Sequence, residues 1–421
     1  MNYLNTIKNR NFSFLWIGQI CSGFGSWVCN IAMLIFISKL KLTGMVVSGL
    51  LVMNVIPYIL IGPFVGNYID RKKRRTIMMI SDISRFLFNI ILVIILNLSN
   101  NNIISTSSTI ALVYLGVLST SFAGTFFSPA SKAIIPLIVD NNQIKSANSL
   151  MSISGSFTLI LGPAFGGILA NILGITGVLW LNAFTFLFSA ICISFTNIVE
   201  YTTKTEKHDS LINKYSNGFK QIINNIDTTY YVSVNTASTL ISGIVNISFV
   251  FIANKLFNDG SESVGILYSS LGLGIILGSF LTGLTSRLKL KVKEKDAYLI
   301  AIILSCIMGV IYIQTQLWLV SVIALFITGL SDGFQTVIFS TFIQKKYNND
   351  NIGKVFATSD TLSISIQFLS MMLGGALFDY INRSMLIIIV SIITILLSII
   401  FYYKLCIQLN KNKVKIDQSY N

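Results

Sequence analysis

Apolar runs of about twenty residues recur along the whole chain, separated by short polar or basic segments. A run of that length, wound as an α-helix, spans the hydrocarbon core of a bilayer. On that measure the pattern predicts twelve helices, over 12–38, 45–65, 76–98, 109–130, 148–171, 174–198, 229–254, 262–285, 297–314, 317–341, 355–378 and 384–406. The expected fold class is an all-α polytopic membrane protein. The first run is long and lacks a small-residue cleavage site, so it is expected to remain as helix 1.

The polar positions inside these runs repeat. Helix 1 carries Gln19, Ser22, Ser26 and Asn30 on one helical face, and helix 7 carries Asn235, Ser238, Ser242 and Asn246, each displaced by 216 residues. The same displacement pairs Gly44 with Gly260, Gly49 with Gly265, Gly62 with Gly278 and Arg71 with Arg287. Further on it shortens to 208, pairing Gly166-Gly167 with Gly374-Gly375 and Pro136 with Gln344. A constant offset predicts two pseudo-symmetric six-helix bundles, residues 1–198 and 229–406, joined by a linker over 199–228 and followed by a basic tail over 407–421. Within the linker, Leu211, Ile212, Tyr215, Phe219, Ile222, Ile223 and Ile226 recur at helical spacing, as expected of an amphipathic helix.

Charge then orients the bundle. With the N-terminus inside, the predicted cytoplasmic segments hold 25 of the 30 Lys and Arg residues, and the opposite orientation would reverse that bias. Both termini are therefore expected in the cytoplasm. Only 11% of residues are charged, 53% are hydrophobic, and the mean hydropathy is +0.74, which leaves too little polar surface for a water-soluble protein of this size. The net charge of +14 is thus a topology signal with some attraction to anionic lipid, and no nucleic-acid partner is expected. Five cysteines lie in or beside the predicted spans without metal-ligand spacing, and the single histidine, His208, sits in the linker. No metal, cofactor or catalytic residue is expected. A polytopic membrane enzyme would need clustered His, Glu or Asp at membrane depth, and these are not present in the pattern.

The densest cationic segment runs Gly66-Asn67-Tyr68-Ile69-Asp70-Arg71-Lys72-Lys73-Arg74-Arg75, between helices 2 and 3. Glycine admits close helix approach, and a carboxylate can pair with a helix N-terminus or an arginine. This order of residues resembles the cytoplasmic loop motif of the major facilitator transporters. Leu15 to Gln19, Gly62-Pro63, Ser81-Asp82 with Arg85, Pro129 to Val139, Gly162-Pro163-Ala164-Phe165-Gly166-Gly167 and Gly353-Lys354-Val355 extend the resemblance to the branch of macrolide and enterobactin exporters. The chain departs from that branch at Lys73, where glycine is usual, at Ser26, where an acidic residue is common, and over 110–128, where no arginine occurs. The resemblance implies a major facilitator fold of the bacterial cytoplasmic membrane in which two halves rock around a midplane cavity. It also implies that Gly66, Asp70, Arg71, Arg74 and Arg75 form a cytoplasmic gate and that Gly162, Pro163, Gly166 and Gly167 bend helix 5.

Charges within spans are expensive and point to function. Asp82, Asp332 and Asp360 are the proton-coupling candidates. Asp82 and Arg85, three residues apart, are also expected to satisfy each other as a charge pair. Asp332 lies deepest, with no cation near it in sequence. The resemblance implies that helices 1 and 7 line the central cavity, so their eight neutral polar residues are expected to face the substrate, an arrangement that suits a bulky amphipathic ligand. The expected function is a monomeric secondary transporter that exports a hydrophobic or amphipathic small molecule by proton antiport. An importer or uniporter of the same fold is the alternative.

Overall fold

The structure, a computed structural model, describes residues 2–39, 44–198, 218–256, 260–284, 294–348, 351–377 and 383–419. The linker expectation over 199–217 and the segment 285–293 lie outside the described residues. The principal helices are α1 (Asn2–Lys8), α2 (Arg10–Lys39), α3 (Gly44–Arg71), α4 (Arg74–Asn100), α5 (Thr106–Ile138), α6 (Ile144–Ser194), α7 (Ile226–Leu256), α8 (Gly260–Leu284), α9 (Glu294–Gln314), α10 (Trp318–Lys346), α11 (Ile352–Leu377) and α12 (Arg383–Ser419). Each expected span overlaps one of α2 to α12 over most of its length, with the fifth and sixth both on α6. Among the described residues, eight helical stretches are long and apolar enough to cross a membrane.

Burial along α4 shows what kind of solvent the fold expects. Its buried stripe contains Arg74, Ser81, Asp82 and Asn89 beside Ile77, Met78, Leu92 and Leu96. Its exposed stripe is Ile80, Ile83, Leu87, Ile91 and Ile94. Polar inside and apolar outside inverts the pattern of a soluble helix and suits a hydrocarbon surround.

The chain divides into two compact units, Met1–His208 with Gln344–Thr361, and Asp209–Ile343 with Leu362–Asn421. In the first unit α2 packs on α6, α3 on α5, and α4 on both α5 and α6. Val28, Ala32, Leu50, Leu92, Leu96, Val113, Val178 and Leu179 belong to its apolar core. The indole of Trp16 donates to Ser154 Oγ (2.5 Å), and a Cβ built on Gly166 would lie 2.9 Å from Ile31 Cβ, so this stretch of α6 runs parallel to α2. By contrast a Cβ built on Gly18 would lie 3.2 Å from Ser189 Oγ and one on Gly25 2.9 Å from Asn182 Oδ1, so the later stretch runs antiparallel. The reversal falls at Gly174 (φ 71, ψ 171), a backbone conformation open almost only to glycine.

In the second unit α7 and α9 pack on α12, and α7 on α8. Among the described residues, α8 and α10 approach closely there. A Cβ at Gly274, Gly278, Gly329 or Gly333 would fall on a backbone carbonyl oxygen of the facing helix, belonging to Phe326, Leu330, Leu271 and Ile275 respectively. Glycines four residues apart on both helices remove the side chains that would keep the backbones apart. The spacing was present in the sequence, but it did not name its partner.

One expectation about local structure needs correcting. The cationic motif is not a loop. Helix α3 continues to Arg71 and α4 begins at Arg74, so only Lys72 and Lys73 lie between them. Apart from Gly66, which costs about 1 kcal/mol relative to alanine, nothing from Asn67 to Arg71 breaks a helix. Asp70 is therefore held on a helical turn.

Candidate functional site

Helix α11 starts with backbone N–H groups that no residue of its own first turn can satisfy. An N-cap side chain usually takes them. Here the side chain of Asn351 is engaged elsewhere, accepting from Lys354 Nζ at 3.1 Å. The cap comes instead from Asp70 of α3, whose two carboxylate oxygens accept from Gly353 N (2.8 Å) and Lys354 N (3.0 Å). Arg74 Nη2 lies 3.6 Å from the same carboxylate, and only 2% and 4% of the Asp70 and Arg74 side chains is exposed. A buried carboxylate facing a helix N-terminus and an arginine is stabilised by two sources of positive charge at once.

Two glycines make this approach possible. A Cβ on Gly66 would lie 2.5 Å from Lys354 Cα and 3.0 Å from Gly353 O; one on Gly353 would lie 2.5 Å from Asp70 Oδ1. Arg74 and Arg75 are also anchored to neighbouring helices. Arg74 Nη1 donates to Ala133 O (2.9 Å) on α5, while Arg75 donates to Ile193 O (3.3 Å) and to Ser194 O on α6. Arg71 ends α3.

Asp360 lies two turns further along α11. Lys132 Nζ of α5 is 2.7 Å from each of its oxygens, and Ser128 Oγ donates to it at 3.2 Å. Sequence spacing gave no sign of this pairing, because the partners are 228 residues apart. Asp82 is wholly buried, with Arg85 Nη2 3.4 Å away. The Arg85 guanidinium also sits over Phe127 (4.4 Å) and Phe186 (4.9 Å) and reaches Ser81 Oγ at 3.1 Å. Asp332, at mid-height on α10, accepts from Ser305 Oγ at 3.4 Å, and among the described residues no cation lies within 4.0 Å of it. Among the described residues, Asp82 and Asp360 have a cation beside them and Asp332 has none.

The hydroxyls of the polar stripes bond back to their own helices. On α2, Ser26 donates to Ser22 O (2.7 Å) and Ser22 to Gln19 O (3.4 Å), while Asn30 is exposed. On α7, Ser238 donates to Asn235 O (2.7 Å), Ser242 to Ser238 O (3.3 Å) and Asn246 to Ser242 O (2.7 Å), and Asn235 donates to Ser363 Oγ at 3.0 Å. Hydroxyls bonded back to their own helix keep their acceptor lone pairs for a ligand. On α6, Gly162 packs on Trp27 and Gly166 on Ile31, whereas a Cβ on Gly167 would meet nothing within 4 Å. The helix stays helical through Pro163, and its reversal comes later, at Gly174.

Comparison with known proteins agrees with this architecture. The family model "Major Facilitator Superfamily" matches residues 15–363. Macrolide efflux protein A of Streptococcus pyogenes is 21% identical over 364 residues, covering 86% of this chain and 87% of that protein. The protein named as bacilysin exporter BacE of Bacillus subtilis is 25% identical over 360 residues, covering 85% and 86%. Among solved structures, the human organic anion transporter MFSD10 superposes with a TM-score of 0.72 at 13% identity, covering 93% of this chain and 99% of that one. The Escherichia coli fucose:proton symporter FucP does so with a TM-score of 0.70 at 12% identity, covering 93% and 97%. With its paired glycines, its capped α11 and its inside-out burial, the chain belongs to the Major Facilitator Superfamily of membrane transporters.

Proposed function

We propose that the chain exports a hydrophobic or amphipathic small molecule from the bacterial cytoplasm, by alternating access driven by proton entry. The observation that carries this reading is the capping of α11 by Asp70, because it is buried and charge-assisted. It uses hydrogen bonds from backbone to side chain, so releasing it unfolds nothing. In this reading both termini and the Asp70 cluster face the cytoplasm, as the distribution of basic residues favours. The gate is closed while Asp70 caps α11, and opening requires the cap to be lost.

The neutral stripes on α2 and α7 are the faces that each unit offers to the substrate, and they favour a ligand recognised by shape and apolar contact. Asp332 carries the coupling proton, since a carboxylate without a cation beside it can load and unload one without breaking an ion pair. The export direction is supported by the printed names of two relatives, a macrolide efflux protein and a bacilysin exporter.

The test is growth of a pump-deficient bacterium expressing the chain, against macrolides, lincosamides, dyes and siderophores. Raised tolerance or secretion for at least one compound is expected, with loss of the effect in Asp70→Ala. An unchanged response to every compound would count against export.

A further inference from the structure

We propose that Lys132 is a second latch, which holds the end of α10 and the start of α11 to α5 independently of Asp70. The proposal concerns the gate of the reading above, but its evidence and its test stand apart from the substrate. All residues concerned belong to the first compact unit.

Lys132 holds in two directions. Its ammonium group grips both oxygens of Asp360 on α11 at 2.7 Å. Its backbone carbonyl accepts from Gln344 Nε2, near the end of α10, at 2.7 Å. The other end of the Gln344 amide is also taken, its Oε1 accepting from Asn148 Nδ2 of α6 at 2.5 Å. A single residue of α5 thus fastens both helices that flank the short α10–α11 connection.

The two latches act at different points of α11. Asp70 grips Gly353 and Lys354, and Lys132 grips Asp360, seven residues or about 10 Å further along the helix. Thr361 Oγ1 adds a bond to Tyr58 O of α3 at 3.2 Å. A helix fixed at one point can pivot about it. Fixed at two points 10 Å apart, it cannot. The two latches therefore grip separate points of α11, and full release of the helix needs both to let go.

This assigns Asp360 a holding role distinct from carrying the coupling proton. Its surroundings fit that role: Lys132 and Ser128 of α5 take both oxygens, and the Phe356 ring lies 5.7 Å from the same ammonium. The exposed fraction of the Asp360 side chain is 16% and that of Lys132 is 35%, so the pair is partly shielded from solvent screening.

The experiment is hydrogen–deuterium exchange of the full chain in lipid nanodiscs, read on amides 352–361 with α4 as internal control. Lys132→Met and Asp360→Asn should each speed exchange of that segment about tenfold, the effect expected for losing one charge-assisted contact. The charge swap Lys132→Asp with Asp360→Lys should bring it back to within about threefold of the parent. Should the swap fail to fold, Lys132→Arg keeps the charge and should keep the protection. The proposal is overturned if the single variants leave 352–361 unchanged. It is equally overturned if the swap, or Lys132→Arg, is as labile as Lys132→Met while α4 stays protected. None of these readings depends on a transported compound, so a failed growth screen would leave this result standing, and the converse also holds.

Discussion

Gly66→Ala separates two effects of opposite sign. In a helix interior, alanine in place of glycine stabilises by about 1 kcal/mol, so intrinsic propensity predicts a tighter protein. The geometry predicts the reverse. The new methyl carbon would sit 2.5 Å from Lys354 Cα and 3.0 Å from Gly353 O, and both obstacles are backbone. Restoring an ordinary contact of about 3.5 Å requires α3 and α11 to part by about 1 Å. That shift stretches the Asp70 bonds from 2.8 and 3.0 Å to about 3.8–4.0 Å, beyond hydrogen-bonding range. Two charge-assisted bonds contribute roughly 3–6 kcal/mol; after the propensity gain and partial solvation, a net loss of about 2–4 kcal/mol remains. The released state should therefore become about 30- to 1000-fold more populated.

Limited trypsin digestion in inside-out vesicles reads that population, because cleavage after Lys354 requires the start of α11 to open. Fragments ending at Lys354, quantified by mass spectrometry, should accumulate at least about 30-fold faster than in the parent. Cleavage that is unchanged or slower would mean that propensity has won, and the close approach of α3 to α11 would be refuted.

Other positions give sharper tests of separate points. Asp332→Asn should leave expression intact and abolish the dependence of efflux on the proton gradient; unchanged dependence would end the proton-carrier role of this residue and favour a uniporter. Gly278→Val places a branched side chain on the Leu330 carbonyl and should cost more than about 3 kcal/mol, seen as a lower melting temperature in detergent; a parental value would show that α8 and α10 do not touch there. Arg85→Met leaves Asp82 wholly buried beside an empty cation position and should cost about 3–5 kcal/mol, whereas adding Asp82→Asn should recover most of it. If the double variant is as unstable as the single, the two residues are not a pair.

Much of this was legible in sequence, for physical reasons. Apolar run length reports bilayer thickness directly, so each of the twelve expected spans overlaps a helix, and the break between the fifth and sixth falls where Gly174 turns the chain. Asp82 and Arg85 could be paired on paper because three residues is a helical neighbour distance. The helical state of Gly66 to Arg71 was missed because charge density suggested a solvated loop, while the fold buries Asp70 and Arg74. Lys132 with Asp360, and Asp70 with Gly353, join residues more than 200 positions apart, and no local pattern encodes such contacts.

Gly174 has a consequence for anyone who handles this protein. Two long helical stretches of α6 meet at one residue whose backbone few other residues can adopt, so that end of the hairpin has no loop to lengthen. An epitope, fluorescent protein or cleavage site inserted there would have to tear both helices from α2. Such handles belong at 101–105, where Ser105 caps α5 and the flanking residues are exposed.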